Sequence, residues 1–431
     1  MSTPISFTHR FDADFARVAA LPQPAWLSAR RRQSYARFQH QGLPSACDED
    51  WKYTSLAALE RAPLAAQEMG EVRIPASGFD ALTPWRVVFA AGRSLPAPPL
   101  DTLADVPAGV TLMPLAQALA ESRPAAMQYF GSLSGEEAFA EFNSALWGDG
   151  LYLELAPNVT LTQPLYLQQV AGAGITTPLR HLLVLGENSQ ATLIQHSLSG
   201  DGAAHFSNSV NECVLGRAAR LTHIEVQEQN PQALLFTRNL AQLGADSRYA
   251  HLALSAGGAL TRNDLTLRLG GQGAECRLHG LTLGGGRSHT DQHIFVDHAL
   301  PGGTSRQLYK SVLWERARCV FNGRVRVAPG ATKTDARQAN RNLLLSQDAE
   351  ADSKPQLEIF ADDVKCSHGS ATGGLDDAQL FYLRARGLDQ AEARALLVEA
   401  FAAEVLNGID ASLRPILASW LHAKLETHHA A

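Results

Sequence analysis

Cys366 and His368, near the C-terminal end of the chain, have the residue types and the spacing of a partial metal site. They lie in the segment ADDVKCSHG, where Asp362 and Asp363 are predicted to form a corner before the strand. In an extended strand, Cys366 and His368 share one face, about 6.5 Å apart. Because zinc binds sulfur and nitrogen at about 2.0–2.3 Å, the strand would supply part of a coordination shell, completed by another surface. The alternative is a buried thiol beside a histidine that binds no metal.

The other thiols and imidazoles show no comparable pattern. The five cysteines are scattered and odd in number, and the lack of a CxxC pair excludes a zinc ribbon or a self-contained cluster site. In a reducing compartment most of them are expected to be buried as small apolar side chains. The segment SHTDQHIFVDH carries His289, His293 and His298, for which a surface or core role is expected.

Motifs of several enzyme classes are absent from the sequence. It contains no GxxxxGK[ST] segment, so the chain is not expected to be a P-loop ATPase, and no GxSxG or HExxH segment. Neighbouring carboxylates such as Asp362 and Asp363 would point to opposite faces of a strand and could not easily flank one glycosidic bond. A carbohydrate-acting enzyme is therefore disfavoured.

The net charge of −6 argues against a nucleic-acid or anionic-membrane partner, because both require a basic surface. Three consecutive arginines at 30–32 are expected to form a solvated helix face. The sequence shows neither an export signal nor a run near the ~18 apolar residues that a membrane helix needs. A cytoplasmic location is therefore expected.

Residues 151–375 read as short strands separated by glycine-containing corners, without amphipathic helices between them. The corners start about 26 to 32 residues apart, a spacing typical of a structural repeat. In FNGRVRV, Phe321, Val325 and Val327 share one face, as in a half-buried strand. The pattern predicts a parallel β-helix (solenoid), with a β-sandwich as the alternative. Asn340 and Asn342 also share a face of a predicted strand. Their amides either stack in a ladder with those of neighbouring turns or lie on a solvated face.

Helical regions are predicted on both sides of this core. Residues 1–150 form a helical and mixed region, with helix over roughly 14–38 and 135–146. Residues 376–431 form a helical domain, with a start at Asp376 or Asp377 and a capping box between Asp389 and Glu392. This domain is expected to close the open end of the solenoid, to dock a partner, or both.

Two long segments closely resemble the SufD family of iron–sulfur cluster assembly proteins: FNGRVRVAPGATKTDARQANRNLLLSQDAEADSKPQLEIFADDVKCSHGS and LDDAQLFYLRARGLDQAEARALLVEAFAAEV. EDWKYTSL and TDQHIFVDH also resemble family motifs, and the resemblance runs from about residue 47 to 407. The paralogous SufB family shares the FYLRARG-like helix, but it is richer in cysteine and carries a Glu-His-Glu-Ala-like segment in place of CSHGS. Family members often read CSHGAT, so this chain departs from the pattern after Gly369.

The resemblance implies a right-handed parallel β-helix in a complex with SufB and two copies of the ABC-type ATPase SufC. His368 would face SufB where a nascent iron–sulfur cluster, or iron, is shared transiently, with Cys366 beside it as an auxiliary ligand or thiol relay. No cofactor would be bound permanently, and the isolated chain could form a homodimer. The C-terminal helices would dock SufC, with four residues at or under that surface: Leu380, Phe381, Tyr382 and Arg386.

The resemblance therefore implies a non-enzymatic scaffold subunit of the SUF assembly complex. Two alternatives remain open at this point. The first is a SufB-type scaffold, and the second is a purely structural subunit that contributes no ligand to the cluster.

Overall fold

The structure, a computed structural model, describes residues 7–64, 72–80, 82, 85–94, 106–200 and 202–429. Within these ranges, helices lie before and after a long run of strands. The α-helices are α1 (Asp12–Ala19), α2 (Ala25–Gln41), α3 (Ala57–Arg61), α4 (Leu115–Ala120), α5 (Pro124–Tyr129), α6 (Ala138–Leu146), α7 (Asp377–Ala385), α8 (Gln390–Ala403) and α9 (Arg414–His429).

The strands are regular in length from β6 onward, at nine or ten residues each. In chain order they are β1 (Arg86–Ala90), β2 (Arg93–Ser94), β3 (Val110–Pro114), β4 (Leu151–Leu155), β5 (Leu165–Ala171), β6 (Thr176–Leu185), β7 (Gln190–Ser199), β8 (Phe206–Leu215), β9 (Arg220–Glu228), β10 (Leu234–Leu243), β11 (Arg248–Ala256), β12 (Leu260–Leu269), β13 (Glu275–Gly284), β14 (His289–His298), β15 (Thr304–Leu313), β16 (Arg318–Val327), β17 (Asp335–Leu344), β18 (Glu350–Ile359) and β19 (Lys365–Gly373).

Consecutive strands from β4 onward belong alternately to two sheets. One sheet has the order β2-β1-β5-β7-β9-β11-β13-β15-β17-β19, and the other has the order β3-β4-β6-β8-β10-β12-β14-β16-β18. Only the β1–β2 and β3–β4 pairs are antiparallel among the described strands. The predicted parallel β-helix is confirmed, and the β-sandwich alternative is wrong because its sheets would be antiparallel.

Successive turns stack residue on residue. Leu185, Leu215, Leu243 and Leu269 lie at equivalent positions of β6, β8, β10 and β12 and pack together in the interior. A shift of one residue in any strand would turn its apolar side chains from the interior to the outside. The interior packing and the backbone pairing therefore fix the same register.

The corners after β6, β8 and β10 share one backbone conformation. Asn188, Ala218 and Asp246 have φ angles between 55° and 57°, in the left-handed region. The backbone N–H of Asn188 donates to the carbonyl of Arg217 at 2.8 Å, and that of Ala218 donates to the carbonyl of Ala245 at 2.8 Å. Each corner is therefore held by the corner of the following turn.

Asn340 and Asn342 on β17 point into the solenoid and are buried. Asn342 Nδ2 donates to Asn340 Oδ1 at 2.9 Å, and Asn342 Oδ1 accepts from Ser311 Oγ at 2.8 Å. Asn340 Oδ1 also accepts from Ser353 Oγ at 2.6 Å. The solvated alternative is wrong, and the amides bond to hydroxyls of neighbouring strands as well as to each other.

The C-terminal helices pack against the outer face of the ten-stranded sheet. Val398 and Leu417 belong to one apolar cluster with Leu252 of β11 and Leu281 of β13. Lys310 Nζ of β15 donates to the carbonyl of Phe401, in the last turn of α8, at 2.8 Å. The prediction that this domain closes the end of the solenoid is wrong, because the outward-facing leucines of the sheet offer a continuous apolar surface to these helices.

The expectation of a solvated arginine face at 30–32 is wrong for its middle residue. Arg31 is buried, with its guanidinium 4.4 Å from the centre of the Trp147 ring. It donates to the carbonyls of Trp147 at 2.8 Å and Ala145 at 3.1 Å. Burial lowers the pKa of Arg31 to about 9. The side chain is buried because α2 packs this face against α6.

Gly280 offers a test of the stacking between turns. A Cβ at Gly280 on β13 would overlap the ring of Tyr309 on β15, whereas one at Gly369 on β19 would meet open space. We expect Gly280→Ala to lower the free energy of unfolding by about 1–3 kcal/mol and Gly369→Ala to change it by less than about 0.5 kcal/mol. Thermal denaturation measures both, and equal losses would contradict the stacking.

Candidate functional site

Cys366 and His368 lie on β19, the last strand of the ten-stranded sheet. β19 pairs with β17 through Ala336↔Cys366 and Gln338↔His368, and no described strand pairs with its other edge. The corner before β19 is formed by Asp362 and Asp363, and Asp363 has a φ of 54°. The predicted corner and strand are therefore confirmed.

The two side chains continue the interior face of the solenoid. Cys366 stacks above Ala336 and is half-buried against the apolar interior. His368 stacks above Gln338, a buried side chain whose Nε2 donates to Gln307 Oε1 at 3.1 Å. His368 itself is exposed because no further turn of the described chain lies above it. The shared face predicted for this pair is confirmed.

The environments of the two groups differ. Burial raises the pKa of the Cys366 thiol above its ordinary value, so the thiol is mostly protonated at neutral pH. His368 also borders a hollow of about 330 Å³ whose lining includes Arg306 and Arg337, although these two arginines are in register with Ser367 and not with His368. Across the described ranges, no three His, Cys, Asp or Glu side chains are grouped to hold a metal ion. The metal-ligand role of His368 and Cys366 stays a prediction.

The other cysteines are free thiols as well. Cys213, Cys276 and Cys319 are buried, as expected, while Cys47 is exposed. Burial raises the pKa of all three buried thiols, that of Cys319 to about 12.

No helix in the described part of the chain is long and apolar enough to span a membrane.

The histidines of the TDQHIFVDH region have local partners. His298 is buried and its Nε2 lies 2.9 Å from Ser305 Oγ. His289 Nε2 lies 2.9 Å from Thr54 Oγ1, and His293 Nε2 lies 3.0 Å from Asp291 Oδ1. None of them lies on β19, so the structure does not bring them together with His368.

The four residues predicted to dock an ATPase lie on or just after α7. Asp376 caps this helix, accepting from the N–H of Ala378, and none of the helix residues is buried against the described chain. Phe381 and Tyr382 are 75% and 57% exposed, which is unusual for aromatic side chains. Leu380 is half-buried, and Arg386 is exposed, with its guanidinium 5.1 Å from the centre of the Tyr382 ring.

Apolar side chains are also exposed at the open end of the solenoid. Ile359 and Phe360, at the end of β18, are 43% and 58% exposed. Leu357, Val364 and Cys366 are only partly buried at the same end. The sequence signal for this exposed end was that the repeat of corners stops after Asp363. The expectation that the C-terminal helices cover the end led to the opposite prediction.

Comparisons with known proteins agree with the fold. The family model described as "SUF system FeS cluster assembly, SufBD core domain" matches residues 168–401. The iron–sulfur cluster assembly protein SufD of Escherichia coli is 33% identical over 389 residues, 89% of each chain. A SufBD family protein of Synechocystis is 32% identical, covering 85% of this chain and 84% of its own. SufD of Bacillus subtilis is 26% identical over 89% of this chain and 90% of its own.

The core match covers more than half of the chain and includes most of the solenoid. Together, the β-helix and this match define an iron–sulfur cluster assembly protein of the SUF system. Within that class, both relatives named SufD align with 89% of the chain. The chain belongs to the SufD family.

The burial of the thiols predicts an order of alkylation. We expect iodoacetamide to label Cys47 first, Cys366 slowly, and the three buried cysteines only after unfolding, because the exposed thiolate is the reactive form. The raised pKa of Cys366 also means that its labelling rate keeps rising above pH 9. Peptide mass spectrometry measures these rates. A Cys366 rate that levels off below pH 8 would contradict the burial.

Proposed function

We propose that this chain is a non-catalytic scaffold subunit of a SUF complex, in which the open end of the solenoid meets a SufB subunit. A nascent iron–sulfur cluster, or iron, would be held transiently between the two chains as cargo. We place this assembly in the cytoplasm, in keeping with the free thiols.

The exposed strand β19 is the observation that carries this proposal. A strand edge without a partner presents unpaired backbone donors and acceptors and invites another strand to extend the sheet. The half-exposed apolar side chains beside it would be buried by such a partner. The same edge offers a contact for a homodimer of the isolated chain.

His368 is the proposed cluster ligand. It is exposed at the edge where the partner would lie, and a neutral imidazole is a good ligand for iron. Cys366 lies two residues away on the same face, but its raised pKa disfavours the thiolate that binds metal. Cys366 is therefore proposed as an auxiliary ligand or thiol relay, which becomes competent when a nearby cation lowers its pKa.

The helix α7 is the proposed docking site for the ATPase SufC. Its aromatic residues Phe381 and Tyr382 are exposed, and aromatic anchors contribute strongly to protein interfaces. Arg386 lies against the Tyr382 ring and would add a charged contact. ATP hydrolysis would thus belong to a partner chain. The movement of that partner would be transmitted to the solenoid through α7 and β19, which are adjacent in sequence.

Loss of the proposed ligand should reduce cluster assembly. In a complex co-expressed with SufB and SufC, we expect His368→Ala to lower the bound cluster by roughly tenfold or more. His422→Ala is the matched control, because His422 is an exposed histidine on α9. Absorption and Mössbauer spectra of the purified complexes measure the cluster.

If His368→Ala assembles cluster as fast as the unaltered complex, the ligand role is wrong. That result would favour a purely structural subunit, which needs α7 and the solenoid end but supplies no ligand. Truncation before Asp376 would then still abolish SufC binding.

Removing the exposed aromatics of α7 should weaken ATPase docking. We expect Phe381→Ser with Tyr382→Ser to raise the dissociation constant for SufC by roughly thirtyfold, corresponding to about 2 kcal/mol. Leu300→Ser is the control, because Leu300 is an exposed apolar residue of a solenoid turn. Calorimetric titration measures the affinities, and the docking site is misplaced if both variants bind SufC equally well.

A further inference from the structure

A groove on the other sheet of the solenoid has no role in the function proposed above. It is lined by parts of EDWKYTSL, TDQHIFVDH and FNGRVRV, and its volume is about 770 Å³. Small-molecule sites of proteins commonly measure about 300–1,000 Å³. The floor is the outer face of β10, β12, β14, β16 and β18, and the wall is formed by residues 41–51 and 133–139.

Four side chains form a compact patch on the floor of the groove. His293 and Phe295 lie two residues apart on β14, and Asn322 and Arg324 lie two apart on β16. The register pairs His293 with Asn322 and Phe295 with Arg324. An imidazole, an aromatic ring, an amide and a guanidinium therefore face one cavity.

The imidazole of His293 is held by a buried carboxylate. Its Nε2 lies 3.0 Å from Oδ1 of Asp291, which is 1% exposed. Arg262 Nη1 and Thr54 Oγ1 donate to Asp291 Oδ2 at 3.0 Å and 2.5 Å. Burial would raise the pKa of Asp291, but Arg262 and His293 lower it to about 2, so the carboxylate stays ionised. His293 Nδ1 lies 3.4 Å from Asn322 Nδ2, within hydrogen-bond distance.

Aromatic side chains from the wall (Trp51 and Phe139) and from the floor strand β10 (Phe236) meet in the groove. Trp51, Phe139 and Phe236 form a cluster with ring centroids 4.6 to 5.8 Å apart. The guanidinium of Arg262 lies 3.9 Å from the centre of the Trp51 ring, which fixes the segment EDW against the sheet. Aromatic side chains on both the wall and the floor suit a planar ring bound in the groove.

Arg324 is the cation of the groove with the weakest ion pair. Its guanidinium lies 4.3 Å from the centre of the Phe295 ring, and its ion pair with Glu358 measures 3.9 Å. By contrast, Arg238 pairs with Glu137 at 2.6 Å. The side chain of Arg324 is 46% exposed, so its donors can reach an anion.

We propose that this groove binds a planar aromatic molecule that carries an anionic group. The ring would lie against the aromatic side chains that line the groove, and Arg324 with the Asn322 amide would bind the anion. His293, between Asp291 and Asn322, would position that amide. This proposal is independent of the role of His368 at the open end.

A fluorescent aromatic anion, 8-anilinonaphthalene-1-sulfonate, tests this site in the full-length chain. The exposed aromatics of α7 are first replaced by Phe381→Ser and Tyr382→Ser, because they offer the dye another apolar surface. We expect one saturable site, weakened about tenfold by Arg324→Gln and lost in Phe295→Ala. Neutral N-phenyl-1-naphthylamine should bind with the same affinity in Arg324→Gln as in the parent.

Arg326→Gln is the matched control, because Arg326 lies on the same strand, is similarly exposed and does not line the groove. It should change the dye affinity less than twofold. The proposal is overturned if the two arginine variants bind the dye equally, or if no saturable site exists that Phe295→Ala removes. Circular dichroism and thermal denaturation confirm that each variant is folded.

Discussion

The stacking of one turn on the next is the constraint on which the rest of this molecule depends. Leucines at equivalent strand positions pack in the interior, and the corners after β6, β8 and β10 are each hydrogen-bonded to the corner of the following turn. No turn can bury its interior face alone, so every turn needs a neighbour on both sides. The last strands, β18 and β19, have a neighbour on one side only within the described chain. The candidate site is therefore placed where the stacking stops.

This position explains the character of the site. Inside the solenoid, polar side chains such as Gln338 and Asn340 find partners on neighbouring turns. His368 belongs to the same interior face but has no turn above it in the part of the chain that the structure describes, so its imidazole is open to another molecule. The C-terminal helices do not cover it, because they follow the outward-facing leucines of the ten-stranded sheet. The last strands of the solenoid and the aromatic face of α7 are therefore both exposed.

Much of this arrangement could be predicted from local patterns. The spacing of the corners predicted the solenoid, and the period-2 alternation predicted that Cys366 and His368 share one face. Capping residues predicted where α7 and α8 begin. The docking of the C-terminal helices could not be predicted, because it depends on leucines such as Leu252 and Leu281 from distant turns. The groove was missed for the same reason: Trp51 and Arg262 are far apart in sequence and meet only in the folded chain.

Hydrogen–deuterium exchange of the backbone amides of β18 and β19 tests the central claim most directly. The isolated chain, at a concentration where light scattering shows a monomer, is compared with the complex containing SufB and SufC. If the open edge is the partner interface, amides within 350–359 and 365–373 exchange at least about tenfold more slowly in the complex, since they become paired and buried. Unchanged exchange in both strands would contradict the account.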